Sequence, residues 1–174
     1  MKLAVGSDEK TVLTDFVVEE LKRRGHDLTL SGPLEGEAMG WPDVGEKIGA
    51  EVSSGKADQG ILFCWTGTGV TIAANKVPGV RAALCWDAET AKGARMWDDA
   101  NVLAMSLRST SPAVAKEILD AWFSSDPVKT GVDAELIERA KKLDSKYLNA
   151  QKSRKTARDG PEILAGCSSV PEAD

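Results

Sequence analysis

The stretch Ile61–Leu84, ILFCWTGTGVTIAANKVPGVRAAL, decides the fold. An apolar run ends in Cys64. A Gly-Thr loop follows, then a short segment that reads as a helix from near Val70, then a second apolar run, Val80–Leu84. Strand, loop, helix and strand make one βαβ unit, whose two strands run parallel. Glycines at such a loop let the backbone approach a ligand closely. The free N–H groups of a helix start can hold an anion or an oxyanion. The motif TGTG lacks the Lys-Ser/Thr of a nucleotide phosphate loop and the spacing of a dinucleotide fingerprint. Composition alone therefore leaves a bound anion and a purely structural turn equally open. Trp65 stands at the mouth of the loop, where a smaller residue would leave more room.

Outward from this unit, Leu3–Val5, Leu28–Leu30, Gly60–Phe63 and Val102–Met105 also read as strands. Several are continuous apolar runs, as strands buried on both faces require. Helical stripes lie between them: Leu13, Phe16, Val17 and Leu21; Val44, Ile48 and Val52; Val114, Ile118, Leu119 and Trp122. The alternation predicts an α/β fold, a parallel sheet covered by helices on both sides. Ser124–Gly131 is a connector. A helix over about 133–148 follows, with Leu136, Ala140, Leu143 and Tyr147 on one stripe, suited to the domain's own surface or a partner subunit. Residues 1–149 form the domain, and 150–174, polar with Gly, Pro and Ser, read as a flexible or draped tail.

The bulk numbers bound the function. The 174 residues suit one domain, and 42% hydrophobic with 28% charged residues is ordinary for a globular protein. A net charge of -5 without a Lys/Arg-rich block argues against nucleic acid as a partner. No apolar run approaches the roughly 18–20 residues that span a membrane. The N-terminus reads as a first strand, so the expected location is the cytoplasm. Cys64, Cys85 and Cys167 have neither metal-ligand spacing nor a disulfide framework. His26, the one histidine, lies in a turn and reads as a surface residue, so acid–base chemistry falls to Cys, Asp, Glu or Lys.

In an open parallel sheet, ligands bind beyond the carboxyl ends of the strands. Those ends carry Asp8 and Glu9, the loop from Cys64 to Gly69, and Trp86 with Asp87. Trp97, Asp98 and Asp99 precede a strand instead. They reach the same site only if a helix end or a neighbouring subunit brings them round. Trp41, Trp65, Trp86 and Trp97 fall in loops or at strand ends, whereas Trp122 falls on an apolar helical stripe and reads as core.

GSD after the first strand, WPD at Trp41–Asp43, the long GILFCWTGTGVTIAANKVPGVRAALC and DDANVLAMSLR together resemble the ribose-5-phosphate isomerase B and galactose-6-phosphate isomerase family, over about Met1–Phe123. The resemblance implies a Rossmann-like three-layer sandwich with a five-stranded sheet. It implies no cofactor, and a homodimer with active sites shared between subunits. It also implies aldose–ketose interconversion of a sugar through a cis-enediolate. Cys64 matches the family's proton-abstracting base, Thr66 its loop threonine, and Gly67 and Gly69 its loop glycines. Thr68 lies in the loop whose amides would hold the enediolate. Asp8 matches the acid that handles sugar hydroxyls, and Asn75 and Lys76 match as well.

Four departures bear on substrate. The family has a phosphate-binding histidine where this chain has Glu9. It has a ring-opening histidine and an asparagine where this chain has Trp97 and Asp98. It has glycine where this chain has Trp65, and phosphate-binding arginines where this chain has Val132 and Leu136. An indole cannot accept the ring-opening proton. Each lost charge-assisted hydrogen bond is worth roughly 1.5–3 kcal/mol, so phosphate should bind much more weakly unless Arg95, Arg108, Arg139 or Lys141 substitutes. With Trp41, Trp65, Trp97, Glu9 and Asp98 around it, the expected substrate is a non-phosphorylated or open-chain sugar. A catalytically inactive homologue that binds a small molecule or partner, or another enolate-type reaction, is the alternative.

Overall fold

The structure, a computed structural model, describes residues 1–158, with the side chains of its last helix described as far as Leu148. The elements are β1 (Lys2–Ser7), α1 (Val12–Arg23), β2 (Asp27–Ser31), α2 (Trp41–Ser53), β3 (Gln59–Cys64), α3 (Thr68–Ala74), β4 (Ala82–Leu84), α4 (Ala88–Asp98), β5 (Val102–Ser106), α5 (Pro112–Phe123) and α6 (Val132–Arg158). The strands form one five-stranded, all-parallel sheet in the order β2-β1-β3-β5-β4. The α/β class and Rossmann-like layering read from the sequence are those of the molecule.

Successive side chains of a strand point to opposite faces, so each continuous apolar run feeds two cores. Leu3, Val5, Ile61, Phe63, Leu103 and Met105 pack with Val17 and Leu21 of α1, Ala91 of α4, and Ile118 and Trp122 of α5. Ala4, Leu62, Val102 and Ala104 pack on the other face with Val44 and Ile48 of α2 and Val70 of α3. Fully burying one such Val, Leu, Ile or Phe contributes about 1.5–3 kcal/mol. Trp122 has no exposed surface, and its Nε1–H donates to Gln59 Oε1 at 2.7 Å, which bears out the core reading.

The differences from the sequence reading are local. β4 begins at Ala82 rather than Val80, because the N–H of Val80 closes a turn on Val77 O and that of Arg81 donates to Asn101 Oδ1. α3 begins at Thr68 rather than Val70. His26 is half-buried rather than a plain surface residue. Its ring lies 4.7 Å from that of Phe123, and burial holds its pKa below the ordinary value.

α6 continues past the expected end near 148 to Arg158. The segment QKSRKTAR lacks an apolar stripe but is rich in good helix formers. The rest of the expected tail, from 159, lies outside the described residues. α6 is fastened to its own domain by buried Ile137, by Lys141 Nζ to Asp99 Oδ2 at 2.9 Å, and by Asp144 Oδ2 accepting from Gly79 N–H at 2.7 Å. Leu136, Leu143 and Tyr147 of the predicted stripe stay exposed.

Candidate active site

β3 is the middle strand, and Cys64 closes it. The register sets its neighbours. Ser7 pairs with Phe63 on one side, so Asp8 leaves β1 beside Cys64. On the other side Cys64 pairs with Ser106 of β5. Cys64 is buried, 5% exposed.

The chain then turns sharply. The N–H of Gly67 donates to Cys64 O at 3.1 Å, and Gly67 takes φ 78 as N-cap of α3. That left-handed conformation favours glycine. A Cβ at Gly67 would also collide with Leu84 Cδ1 and lie 3.1 Å from the Met105 carbonyl carbon. The amide of Gly67 is therefore committed within the turn, which corrects the expectation that it faces a ligand. The first helical bond is Thr71 N–H to Gly67 O at 3.3 Å, and no side chain caps α3. That leaves the amides of Thr68, Gly69 and Val70 as the orphan donors of a helix start. Thr66 Oγ1 and Thr68 Oγ1 share a hydrogen bond of 2.7 Å across the loop.

Trp41, the first residue of α2, lies against this turn. A Cβ at Gly69 would come 3.0 Å from two atoms of its indole. Trp65 is 55% exposed, and its backbone rather than its ring is held: its carbonyl accepts from Ser106 Oγ at 2.9 Å and from Arg108 N–H at 3.0 Å. Ser106 was not read from the sequence. The signal was a hydroxyl closing an apolar run, but its place beside Cys64 depends on β5 pairing with β3.

Asp8 supplies the electrostatic feature. Its Oδ1 is buried and has no hydrogen-bond partner among the described residues. Burial raises its carboxyl above the ordinary value, its own backbone hydrogen bond opposes this, and neighbouring Glu9 adds to the rise. Glu9 is exposed, and Ser7 Oγ, buried beneath it, donates to its carbonyl at 2.5 Å.

The site thus gathers Asp8, Glu9, Trp41, Cys64, Trp65, Thr66, Gly67, Thr68 and Gly69. Asn75, Trp97 and Asp98 lie elsewhere. α3 and α4 run back across the sheet, and these residues close them at the opposite edge. Asn75 does not fit the binding role expected of its side chain. Its Oδ1 accepts from Ala82 N–H and its Nδ2 donates to Ala82 O, both at 2.8 Å, so it is a clamp between α3 and β4. With Trp97 and Asp98 it borders a separate cavity of about 470 Å³ beneath α6.

Cys64 keeps 5% of its surface exposed at the strand end. Cys85 is fully buried, and burial, with Asp87 and Asp98 nearby, pushes it up to about 12. In a Cys167→Ser background, a thiol reagent at neutral pH is expected to label Cys64 and to leave Cys85 unmodified. Peptide mass mapping checks this, and labelling of Cys85 at a comparable rate would contradict it.

Among the described residues there is no cluster of His, Cys, Asp and Glu fit for a metal ion, and no helix is long and apolar enough to cross a membrane.

Comparison with known proteins identifies the family. The ribose/galactose isomerase family model matches residues 3–143. A ribose-5-phosphate isomerase B of Listeria innocua is 38% identical over 127 residues, covering 72% of this chain and 86% of the relative. A D-erythrulose-4-phosphate isomerase of Pectobacterium atrosepticum is 37% identical over 128 residues, covering 72% of this chain and 84% of the relative. The solved ribose-5-phosphate isomerase B of Clostridium thermocellum superposes with a TM-score of 0.78 at 36% identity, covering 84% of this chain and 99% of that one. The chain belongs to the ribose/galactose isomerase family and is an isomerase.

Proposed function

We propose that the protein is an aldose–ketose isomerase of carbohydrate metabolism that works through a cis-enediolate on a sugar recognised without the family's phosphate arginines. One arrangement carries the reading: a thiol closes the middle strand, uncapped helix-start amides follow it, and an unpartnered carboxylate oxygen leaves the adjacent strand. Cys64, as thiolate, takes the proton from C2 of the open-chain aldose. The C–H electron pair becomes the C1–C2 double bond, and the carbonyl π pair moves onto O1. The amides of Thr68 and Gly69 hold that oxyanion, and the linked hydroxyls of Thr66 and Thr68 sit where a proton passes between O1 and O2. The Cys64 thiol returns its proton to C1, leaving a ketone at C2. Asp8 accepts hydrogen bonds from the sugar hydroxyls.

Recognition follows from what surrounds this machinery. Glu9 repels a phosphate. Of the four replacement cations, Arg95 is buried with its guanidinium on Ala100 O at 2.5 Å, and Lys141 is tied to Asp99. Arg139 stands on α6, and Arg108 adjoins Trp65. Trp41 and Trp65 offer apolar faces instead. A homodimer is part of the reading, because Trp97 and Asp98 stand at the edge opposite Cys64 and need a second subunit to meet it. The exposed Leu136, Leu143 and Tyr147 suit such an interface. A reducing cytoplasmic setting suits the free thiols.

The test is C2-proton exchange in heavy water with free and phosphorylated tetroses, pentoses and hexoses, followed by NMR. Saturable exchange with isomerisation of a free sugar is the expected result. Exchange confined to phosphorylated sugars would assign a phosphate to Arg108 or Arg139 and end the altered-recognition part. Exchange without isomerisation would favour another enolate reaction, and none with any sugar would favour an inactive homologue.

A further inference from the structure

Among the described residues, Asp8 Oδ1, His26 Nδ1, Ser31 Oγ and Arg95 Nε are buried without a hydrogen-bond partner. His26 lies against Phe123 and Arg95 over Trp122, both on the α5 side of the sheet. Asp8 and Ser31 belong to the other side. Successive side chains of a strand alternate in face. Leu28 and Leu30 of β2 pack in the α5-side core, so Ser31, 0% exposed, faces α2. Its register partner Gly6 faces the same way, since a Cβ there would press on Val44 and Ile48 of α2. Asp8, two residues beyond Gly6, emerges on that face beside Cys64.

The two orphans are complementary. A serine hydroxyl donates, and an ionised carboxylate only accepts. Strands about 4.8 Å apart, with a rise of about 3.3 Å per residue, put the two Cα atoms about 8 Å apart on the diagonal. Side chains reaching toward each other across that diagonal leave a gap that one water spans, with two hydrogen bonds of about 2.8 Å. Buried polar groups without a protein partner are where internal water is held. The backbone is fixed there. Gly32 takes φ 71, and a Cβ on it would lie 2.5 Å from Ser7 O, so Ser31 and Gly32 sit tight against the residue before Asp8. Burial raises the Asp8 carboxyl, and Glu9 adds to the rise. Cys64 stands beside it, and Met39, Val44 and Ile48 over this part of the sheet carry no charge. A donor aimed at Oδ1 opposes the rise, because it favours the charged form.

We infer that Ser31 is a positioning residue for Asp8, joined to it through one ordered water that holds Oδ1 and leaves Oδ2 to a sugar's hydroxyls. The inference rests on the isomerase reading only in what Asp8 does with those hydroxyls.

The experiment reads the link apart from the activity. Asp8 is titrated by carbon NMR in full-length protein carrying labelled aspartate carboxyls. Ser31→Ala removes the donor, so the Asp8 midpoint should rise by about half a pH unit or more. Ser31→Thr keeps the hydroxyl and should leave the midpoint at the wild-type value. A crystal structure of the wild-type protein should show one water within about 3 Å of both Ser31 Oγ and Asp8 Oδ1. That density decides the matter if Ser31→Ala fails to fold. Isomerisation of D-erythrose, D-ribose and D-galactose is then followed by NMR. Ser31→Ala should raise KM severalfold with little change in kcat, and Ser31→Thr should restore it. An Asp8 midpoint unmoved in Ser31→Ala, or no water between the two atoms, overturns the link even where turnover falls. A moved midpoint in a protein that isomerises no sugar upholds the link and counts against the isomerase reading.

Discussion

Cys64→Ser protein is expected to keep its fold and to lose C2-proton exchange by about a thousandfold. A positioned general base contributes roughly 10²–10⁴-fold, and a serine hydroxyl is too weak a base at neutral pH to replace a thiolate. The fold survives because the change removes little volume. Its cost is a hydroxyl placed against Val70 and Ala104 in the core on that face of the sheet, about 1–2 kcal/mol if the hydroxyl finds no partner. The two effects separate in measurement: exchange by NMR should collapse while the thermal midpoint moves by a few degrees. A Cys64→Ser protein that exchanged at the wild-type rate would remove the thiol from the mechanism.

The second large effect concerns the loop itself. Gly67→Ala is expected to destabilise the protein by about 2–5 kcal/mol. A left-handed φ of 78 costs a non-glycine residue about 1–2 kcal/mol. The added methyl would also press on Leu84 and on the Met105 backbone, and overpacking costs about 1–3 kcal/mol more. Leu84 is on the edge strand and can shift, but the Met105 backbone belongs to β5 and is hydrogen-bonded to β3. Gly69→Ala is the instructive contrast. Its φ lies outside the left-handed region and its obstacle is the Trp41 side chain, which is 44% exposed and free to swing outward. Denaturant unfolding of the two variants should show Gly67→Ala the weaker by at least about 1 kcal/mol. Equal midpoints would mean that the turn at Gly67 is not under constraint.

These contrasts indicate what the sequence made legible. Ile61, Leu62 and Phe63 announce a strand buried on both faces, and Cys64 marks its end, because both depend on local order alone. The loop was legible as a Gly-Thr turn into a helix, but not in its detail. That the Gly67 amide is spent on Cys64 O follows from the tightness of the turn, which composition does not specify. Asn75 read as a ligand contact and is a clamp on Ala82, because its partner comes from a strand whose position is a tertiary fact. Ser106 was overlooked for the same reason. The order β2-β1-β3-β5-β4 inserts β5 between β3 and β4, so the residue flanking Cys64 comes from far along the chain. α6 shows the reverse failure: without an apolar stripe beyond Tyr147, its helical propensity was discounted.

The central position of β3 carries a consequence for how such a protein changes over time. Cys64 closes a strand flanked on both sides, pairs with Ser106 of β5 and belongs to a packed core, so this position tolerates little variation. Glu9, Trp65 and Trp97 sit on the perimeter, where exposed side chains can be exchanged at small cost to the fold. Selection can therefore rewrite the rim without reopening the centre. A scaffold divided in this way is evolvable at its rim and conservative at its centre.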